Sequence, residues 1–223
     1  MKLKEIFWDL EKGSTKWSGY FDVYEKHLSK FIGKSPRILE IGVLGGGSIE
    51  MWLKYFGEGT SIVGVDINPE CLEYKYDGDV KIVMGDQGSP EFWEQFAKEH
   101  GTFDIIIDDG GHTMDQQVTT INSMFPFLNE SGVFAVEDTH TSYWINWGGA
   151  YKGPHTFLEH AKKLTDVMNQ QHFQGNNYVV PRILEIYKNL NAISFYNSVV
   201  VFEKEPFKEF GITDNKQNVG RDL

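Results

Sequence analysis

The strongest chemical signal in this chain of 223 residues is a pair of acidic segments, Asp108-Asp109-Gly110-Gly111-His112 and Glu137-Asp138-Thr139-His140. Each follows an apolar run, Phe103-Asp104-Ile105-Ile106-Ile107 in one case and Gly132-Val133-Phe134-Ala135-Val136 in the other. A β-branched run that stops in polar residues reads as a buried parallel strand opening into a loop, where open α/β sheets place their ligands. Adjacent strands of this kind bring Asp109, Glu137 and Asp138 to one rim, with His112 beside them. Three close carboxylates resist joint ionisation, so they are a cation site or a costly repulsion. The plainer alternative is solvated acids at strand ends and a loop histidine bonded to a carbonyl.

A second cluster lies upstream. Glu40-Ile41-Gly42-Val43-Leu44-Gly45-Gly46-Gly47-Ser48 follows the strand Arg37–Val43 and precedes a helix carrying Met51, Trp52, Leu53, Tyr55 and Phe56. Residues without Cβ let a backbone pass close to a ligand. The turn lacks the Gly-Lys-Ser/Thr of a P-loop and the Gly-x-Gly-x-x-Gly of dinucleotide sites. An acid at Glu40 favours a ligand with a cationic end over a pyrophosphate. Asp66, closing a strand at 61–66, is placed to accept from ribose hydroxyls. Asp86-Gln87, closing a strand at 80–86, is placed to touch an adenine amine. The bland reading is a tight turn with acids at strand ends.

The elements that must position these residues alternate along the chain. Helices are expected at 3–11, 20–32, 90–100, about 114–128 and 156–172, with polar breaks at 13–19 and 174–177. Regular alternation of strand and helix implies right-handed crossovers and a parallel sheet. Residues 139–153, rich in Trp, Tyr, Gly and Asn, read as a loop over the site. Residues 192–204 read as two strands around Tyr196-Asn197-Ser198, a hairpin capping the sheet. The expected organisation is an N-terminal helical segment and cofactor lid at 1–32, a catalytic domain at 33–205 and a loosely held tail at 206–223.

These motifs resemble the class I S-adenosylmethionine-dependent methyltransferases over about residues 13 to 205. The resemblance implies a Rossmann-like α/β fold with a seven-stranded, mostly parallel sheet, order 3-2-1-4-5-7-6, strand 7 being antiparallel. It also implies that the turn, with Gly42, Val43, Gly45 and Ser48, holds the methionine moiety, with Glu40 and Asp108 among the cofactor-binding residues. Asp66 would hold the ribose, and Asp86 and Gln87 would sit by the adenine. Asp109-Gly-Gly-His112 with Glu137-Asp138 is similar to the metal-dependent sugar O-methyltransferases of macrolide biosynthesis (mycinamicin and macrocin type) and to cephalosporin hydroxylase-type proteins. By that resemblance Asp109, Glu137 and Asp138 hold a divalent cation and His112 is the general base. His140 ranks second as base or substrate-orienting group. The residues agree: carboxylate oxygens without cysteine are the donors of Mg²⁺, with Mn²⁺ or Ca²⁺ possible. Histidine, ordinarily near ~6.5, takes a proton at neutral pH. Lys16, Tyr20 and Tyr24 match a segment that closes over the cofactor carboxylate, although relatives read Gly-Thr-Asp-Lys where this chain has Gly13-Ser14-Thr15-Lys16.

Composition sets limits on partners. A formal charge of −11 disfavours nucleic acid, and no run approaches membrane-spanning length. One cysteine, Cys71, excludes an internal disulfide framework. The opening residues lack a signal-peptide pattern, so the expected compartment is the cytoplasm. The reading is an S-adenosylmethionine- and Mg²⁺- (or Mn²⁺-) dependent O-methyltransferase. Its acceptor would be a sugar hydroxyl, on a natural product or on a nucleotide-activated sugar such as a capsule heptose. The resemblance implies a dimer or tetramer. The alternatives are an oxygenase at the same acids or a cofactor-binding protein without catalysis.

Overall fold

Alternating side chains along each central strand sort into two cores. In the computed structural model, which describes residues 2–174, 181–208 and 211, Leu39, Ile41, Val63, Val65, Ile106, Phe134 and Val136 face one side of the sheet. Ile38, Ile62, Ile105, Ile107, Val133 and Ala135 face the other. Period-two alternation with apolar residues on both faces requires helices on both faces. The first side is covered by α4 (Pro90–His100), α5 (Met114–Met124) and α6 (Phe157–Met168), the second by α1 (Leu3–Trp8), α2 (Tyr20–Leu28) and α3 (Gly47–Phe56).

The strands β1 (Arg37–Ile41), β2 (Ser61–Asp66), β3 (Asp79–Met84), β4 (Phe103–Asp108), β5 (Leu128–Val136), β6 (Leu190–Phe195) and β7 (Val200–Lys204) form one sheet in the order 3-2-1-4-5-7-6. β1 to β5 are parallel, and β7 runs antiparallel to both β5 and β6. This is the topology the resemblance implied. The carboxyl ends of β1, β4 and β5, which carry the acidic motifs, lie side by side, with Ile41 opposite Asp108 and Asp108 opposite Val136.

Local signals fix the helix starts. The hydroxyl of Ser89 accepts from Phe92 N ahead of Pro90, Thr113 and Gln116 form a capping box on α5, and Thr156 caps α6. Several ends fall short of expectation. The helix expected to reach residue 128 stops at Met124 because Pro126 has no N–H to continue it; Phe125–Phe127 form a 3-10 turn and β5 already begins at Leu128. The first helix ends at Trp8, α2 passes into a 3-10 turn at Ser29–Phe31, and α6 ends at Met168 before a 3-10 turn at Gln170–His172. The expected loop at 139–153 contains two 3-10 turns, Thr139–Tyr143 and Ile145–Trp147. A short helix, α7 (Pro181–Ile186), had no periodic signal of its own. Most of the break at 174–177, and the tail beyond Lys208 apart from Gly211, lie outside the described residues. No helix among the described residues is long and apolar enough to cross a membrane.

Phe134 is fully buried at the centre of β5, whereas Met84 at the end of β3 is 55% exposed. Phe134→Ala is expected to cost about 3–5 kcal/mol in chemical denaturation, and Met84→Ala about 0.5 kcal/mol or less. Similar losses for the two would contradict the placement of this core.

Candidate active site

The alternation that sorts the core also sorts the acids at the sheet's carboxyl edge. Glu40, Asp109 and Glu137 continue the face of Ile38, Ile107 and Ala135, toward α2 and α3, while Asp108 continues the opposite face. Three carboxylates from three neighbouring strand ends therefore converge beneath the N-terminal segment, and Lys16 from that segment meets them. Its Nζ lies 2.5 Å from Asp109 Oδ2 and 2.6 Å from Glu137 Oε1, with the lysine side chain 1% exposed. Burial alone would lower the lysine pKa, but the charges of Asp109, Glu137 and Glu40 outweigh it and hold the ammonium above its ordinary value.

Glu137 is buried, and Tyr24 Oη donates to the same Oε1 that meets Lys16. Burial first, and then Asp109, push its carboxyl up to about 8. Glu40 is fully buried with neither oxygen hydrogen-bonded, and burial pushes it up to about 7 against the pull of Lys16. On the other face Asp108 Oδ1 accepts from Gln87 Nε2 at 2.6 Å, and burial pushes Asp108 up to about 7 as well. Gln87 Oε1 in turn accepts from Gly111 N at 2.8 Å, so this side chain braces the Asp-Asp-Gly-Gly loop. Both ends of its amide thus engage the loop, and the side chain also lines the cleft.

Asp138 adopts a left-handed conformation, φ 53°, and so does His112, φ 57°. Such backbone is uncommon outside glycine and turns each side chain back over the rim. Asp138 Oδ1 accepts from Tyr20 Oη at 2.5 Å and Trp17 Nε1 at 3.1 Å. Asp138 Oδ2 is left facing His112 Nε2 at 3.4 Å, and Asp109 Oδ1 lies 3.8 Å from the same nitrogen. Asp109, His112 and Asp138 thus each offer a donor atom within 4.8 Å of the others. Glu137 stands across Lys16 from this trio. His112 Nδ1 is buried without a partner, and burial lowers the imidazole pKa more than Asp109 and Asp138 raise it. Its backbone carbonyl accepts from Thr141 Oγ1 at 2.8 Å. His140 stands beside Asp138: its Nδ1 bonds Ser198 Oγ and lies 3.9 Å from Asp138 Oδ1, and Trp17 and Trp144 meet its ring edge-on.

The trio and the glycine-rich turn line one cleft of about 520 Å³. Lys16, Gly42, Val43, Gly45, Ser48, Asp66, Asp86, Gln87, Asp109, His112, Glu137 and Asp138 line it, while Tyr20, Tyr24, Glu40, Asp108 and His140 stand behind its walls. The glycines serve the protein's own backbone as well as a ligand. A Cβ at Gly42, φ 90°, would lie 2.0 Å from the Asp109 carbonyl oxygen, and one at Gly45 2.5 Å from that of Gly13. Asp66 accepts from the backbone N–H of Val43, Leu44 and Asn68 at 2.8 to 2.9 Å, so the acid expected to hold a ribose also fixes the turn. Two contributors carried no motif. Trp17 could have been suspected from its place beside Lys16, and Ser198 only from lying in the hairpin turn.

Residues 39–139 match a family model described as a methyltransferase domain. The chain is 36% identical over 174 residues to the 8-demethyl-8-alpha-L-rhamnosyl tetracenomycin-C 2'-O-methyltransferase of Streptomyces olivaceus, covering 74% of this chain and 45% of that protein. It is 31% identical over 201 residues to the mycinamicin VI 2''-O-methyltransferase of Micromonospora griseorubida, covering 85% of this chain and 49% of that one. The chain spans about half the length of the curated relatives it matches. Among solved structures it resembles MycE, a methyltransferase from the mycinamycin biosynthetic pathway in complex with Mg and SAH. The TM-score is 0.82 at 28% identity, covering 100% of this chain and 58% of that one.

Gln87→Leu keeps the volume of the side chain but strands Gly111 N and leaves Asp108 Oδ1 with only the 3.3 Å bond from Gly110 N. The variant is expected to lose about 1–3 kcal/mol of stability for each group left unpaired, read by urea denaturation. An unchanged midpoint would mean that Gln87 does not brace this loop.

Proposed function

We propose, from the premise that residues 39–139 are a methyltransferase domain, that this chain transfers a methyl group from S-adenosylmethionine to a sugar hydroxyl beside a divalent cation. The observation that carries the reading is the meeting of Asp109 Oδ1, Asp138 Oδ2 and His112 Nε2 in a cleft also lined by the glycine-rich turn. The residues present fit both groups. Glu40 is a buried carboxylate with unused acceptors behind the turn, matched to a ligand carrying an ammonium. Asp66 closes β2 where ribose-binding acids stand. Carboxylate oxygens without cysteine match Mg²⁺ or Mn²⁺, with the His112 imidazole beside them rather than on the ion. The trio holds one histidine and two acids, the reverse of the two-histidine, one-carboxylate set of iron oxygenases.

When bound, S-adenosylmethionine supplies a methyl on a sulfonium, and the cation supplies a Lewis acid that lowers the pKa of a coordinated hydroxyl. His112 Nε2, kept neutral by burial, accepts the hydroxyl proton. The oxygen forms its bond to the methyl carbon as the carbon–sulfur bond breaks, leaving S-adenosylhomocysteine and a methyl ether. Asp109, Glu137 and Asp138 would hold the cation, Glu137 with a carboxylate that Lys16 engages in this structure, and the chain's main contribution to the transfer is alignment. Trp17, 61% exposed and lining the cleft, offers an aromatic face to an acceptor ring, and Trp144, 49% exposed, packs beside it on His140. The names of the relatives favour a glycoside of a natural product, and a nucleotide-activated sugar is the second acceptor class. The same reading sets the enzyme in the cytoplasm, in keeping with one buried thiol, and as a dimer or tetramer.

Release of S-adenosylhomocysteine with candidate glycosides is expected to stop on adding chelator and to return with Mg²⁺ or Mn²⁺; release indifferent to chelator would sink the cation's role. His112→Ala is expected to lower kcat by about 10²–10⁴-fold while leaving cofactor affinity within a factor of about two. In the wild type the lowered His112 pKa keeps the base form above neutral pH, so kcat/KM should stay level there and fall only as acid protonates the imidazole. A profile still rising between pH 7.5 and 9 would assign the base to another group.

A further inference from the structure

Lys16 occupies a place that methyl transfer alone does not require. Its ammonium is buried among the carboxylates of Asp109 and Glu137 and within the field of Glu40, so it neutralises acids from the ends of β4, β5 and β1 together. Asp109 Oδ2 and Glu137 Oε1 are thereby taken, and Glu137 Oε1 also receives Tyr24 Oη. An ion held by Asp109, Glu137 and Asp138 together must share two carboxylates with this ammonium, and two cations at hydrogen-bond distance of the same oxygens repel.

The segment that carries Lys16 is fastened at both of its ends. Upstream, Glu50 of α3 accepts from the backbone N–H of Glu11 and Lys12 at 3.1 and 3.0 Å, and Gly13 O accepts from Gly47 N at 3.1 Å. Downstream, Trp17 and Tyr20 donate to Asp138. Between these anchors residues 13–17 form one wall of the cleft, passing over the glycine-rich turn. Inside that span the only side-chain bonds found among the described residues are the two of Lys16 and the one of Trp17, all to the acids.

We propose that Lys16 is an exchangeable internal cation: it holds Asp109 and Glu137 until a divalent ion takes them, and its release frees residues 13–17 from the cleft. The inference rests on the reading of this rim as a cation site. Metal loading and opening of the cofactor pocket are then one coupled equilibrium, and the coupling is reciprocal. Segment 13–17 resists the ion by the same amount that the ion loosens the segment.

The test uses the 223-residue chain with Mn²⁺ as probe. Lys16→Met keeps the aliphatic stem and removes the charge; by calorimetry and by electron paramagnetic resonance of free Mn²⁺ it is expected to bind the ion at least about tenfold more tightly than wild type. Lys16→Arg keeps the charge and is expected to bind no more tightly than wild type. In the wild-type protein, amide hydrogen exchange at residues 13–18 is expected to speed up when Mn²⁺ is added, a readout that stands even if Lys16→Met does not fold. Equal or weaker binding by Lys16→Met, or exchange at 13–18 that is unchanged or slowed, overturns the inference and leaves the cation site standing. Absence of Mn²⁺ binding in both wild type and Lys16→Met removes the site and the inference together.

Discussion

The site depends on one electrostatic constraint: three acids on one face of adjoining strand ends must share very little solvent. Glu40 is fully buried, Glu137 nearly so, and Asp109 is partly covered. Such groups ionise together only beside a cation, and Lys16 is the cation the chain supplies. The N-terminal segment is therefore part of the site rather than an appendage to the sheet. It contributes the ammonium, the indole and hydroxyl that occupy one oxygen of Asp138, and through Tyr24 a donor to Glu137. These donors also decide which oxygens are left. Asp109 Oδ1 and Asp138 Oδ2 face His112 because their companions are already engaged.

The same constraint separates two acids that are neighbours in sequence. Asp108 and Asp109 point to opposite faces of β4, so one is braced by Gln87 beside α5 and the other meets Lys16. Glu137 and Asp138 are separated differently. Glu137 keeps the strand's direction and is buried, while the left-handed backbone of Asp138 returns its side chain to the rim. A four-carboxylate motif thus yields two part-buried oxygens facing His112, one buried partner of Lys16 and one acid on the far side of the sheet.

Much of this was legible in the residues. Apolar runs ending in acids placed β2, β3, β4 and β5, a glycine-rich turn placed β1, and the order of the sheet followed from the resemblance carried by that turn and those acids. That Asp109, His112 and Asp138 come together could be anticipated because they close adjacent strands. What the chain did not disclose locally was tertiary. Nothing in the sequence around Lys16 says that its partners lie 93 and 121 positions away. Nothing around Gln87 says that its amide is consumed by Asp108 and Gly111. Nothing around His140 says that its Nδ1 bonds Ser198 of the hairpin turn. The end of α5 was misjudged because the apolar residues Phe125 and Phe127 extend the helical pattern across Pro126, whose missing N–H ends the helix.

Ser198 has one further consequence. From the tip between β6 and β7 it meets Tyr20 Oη at 2.9 Å, 178 positions away in the chain, and it also holds His140. The rim is therefore stitched from nearly the first helix to nearly the last strand, an arrangement of high contact order that pays its loop-closure entropy late in folding. As the polypeptide leaves the ribosome, the glycine-rich turn and the first four strands can form long before the hairpin that completes the acid rim exists. The acid rim is thus complete only once that hairpin has docked beside β5.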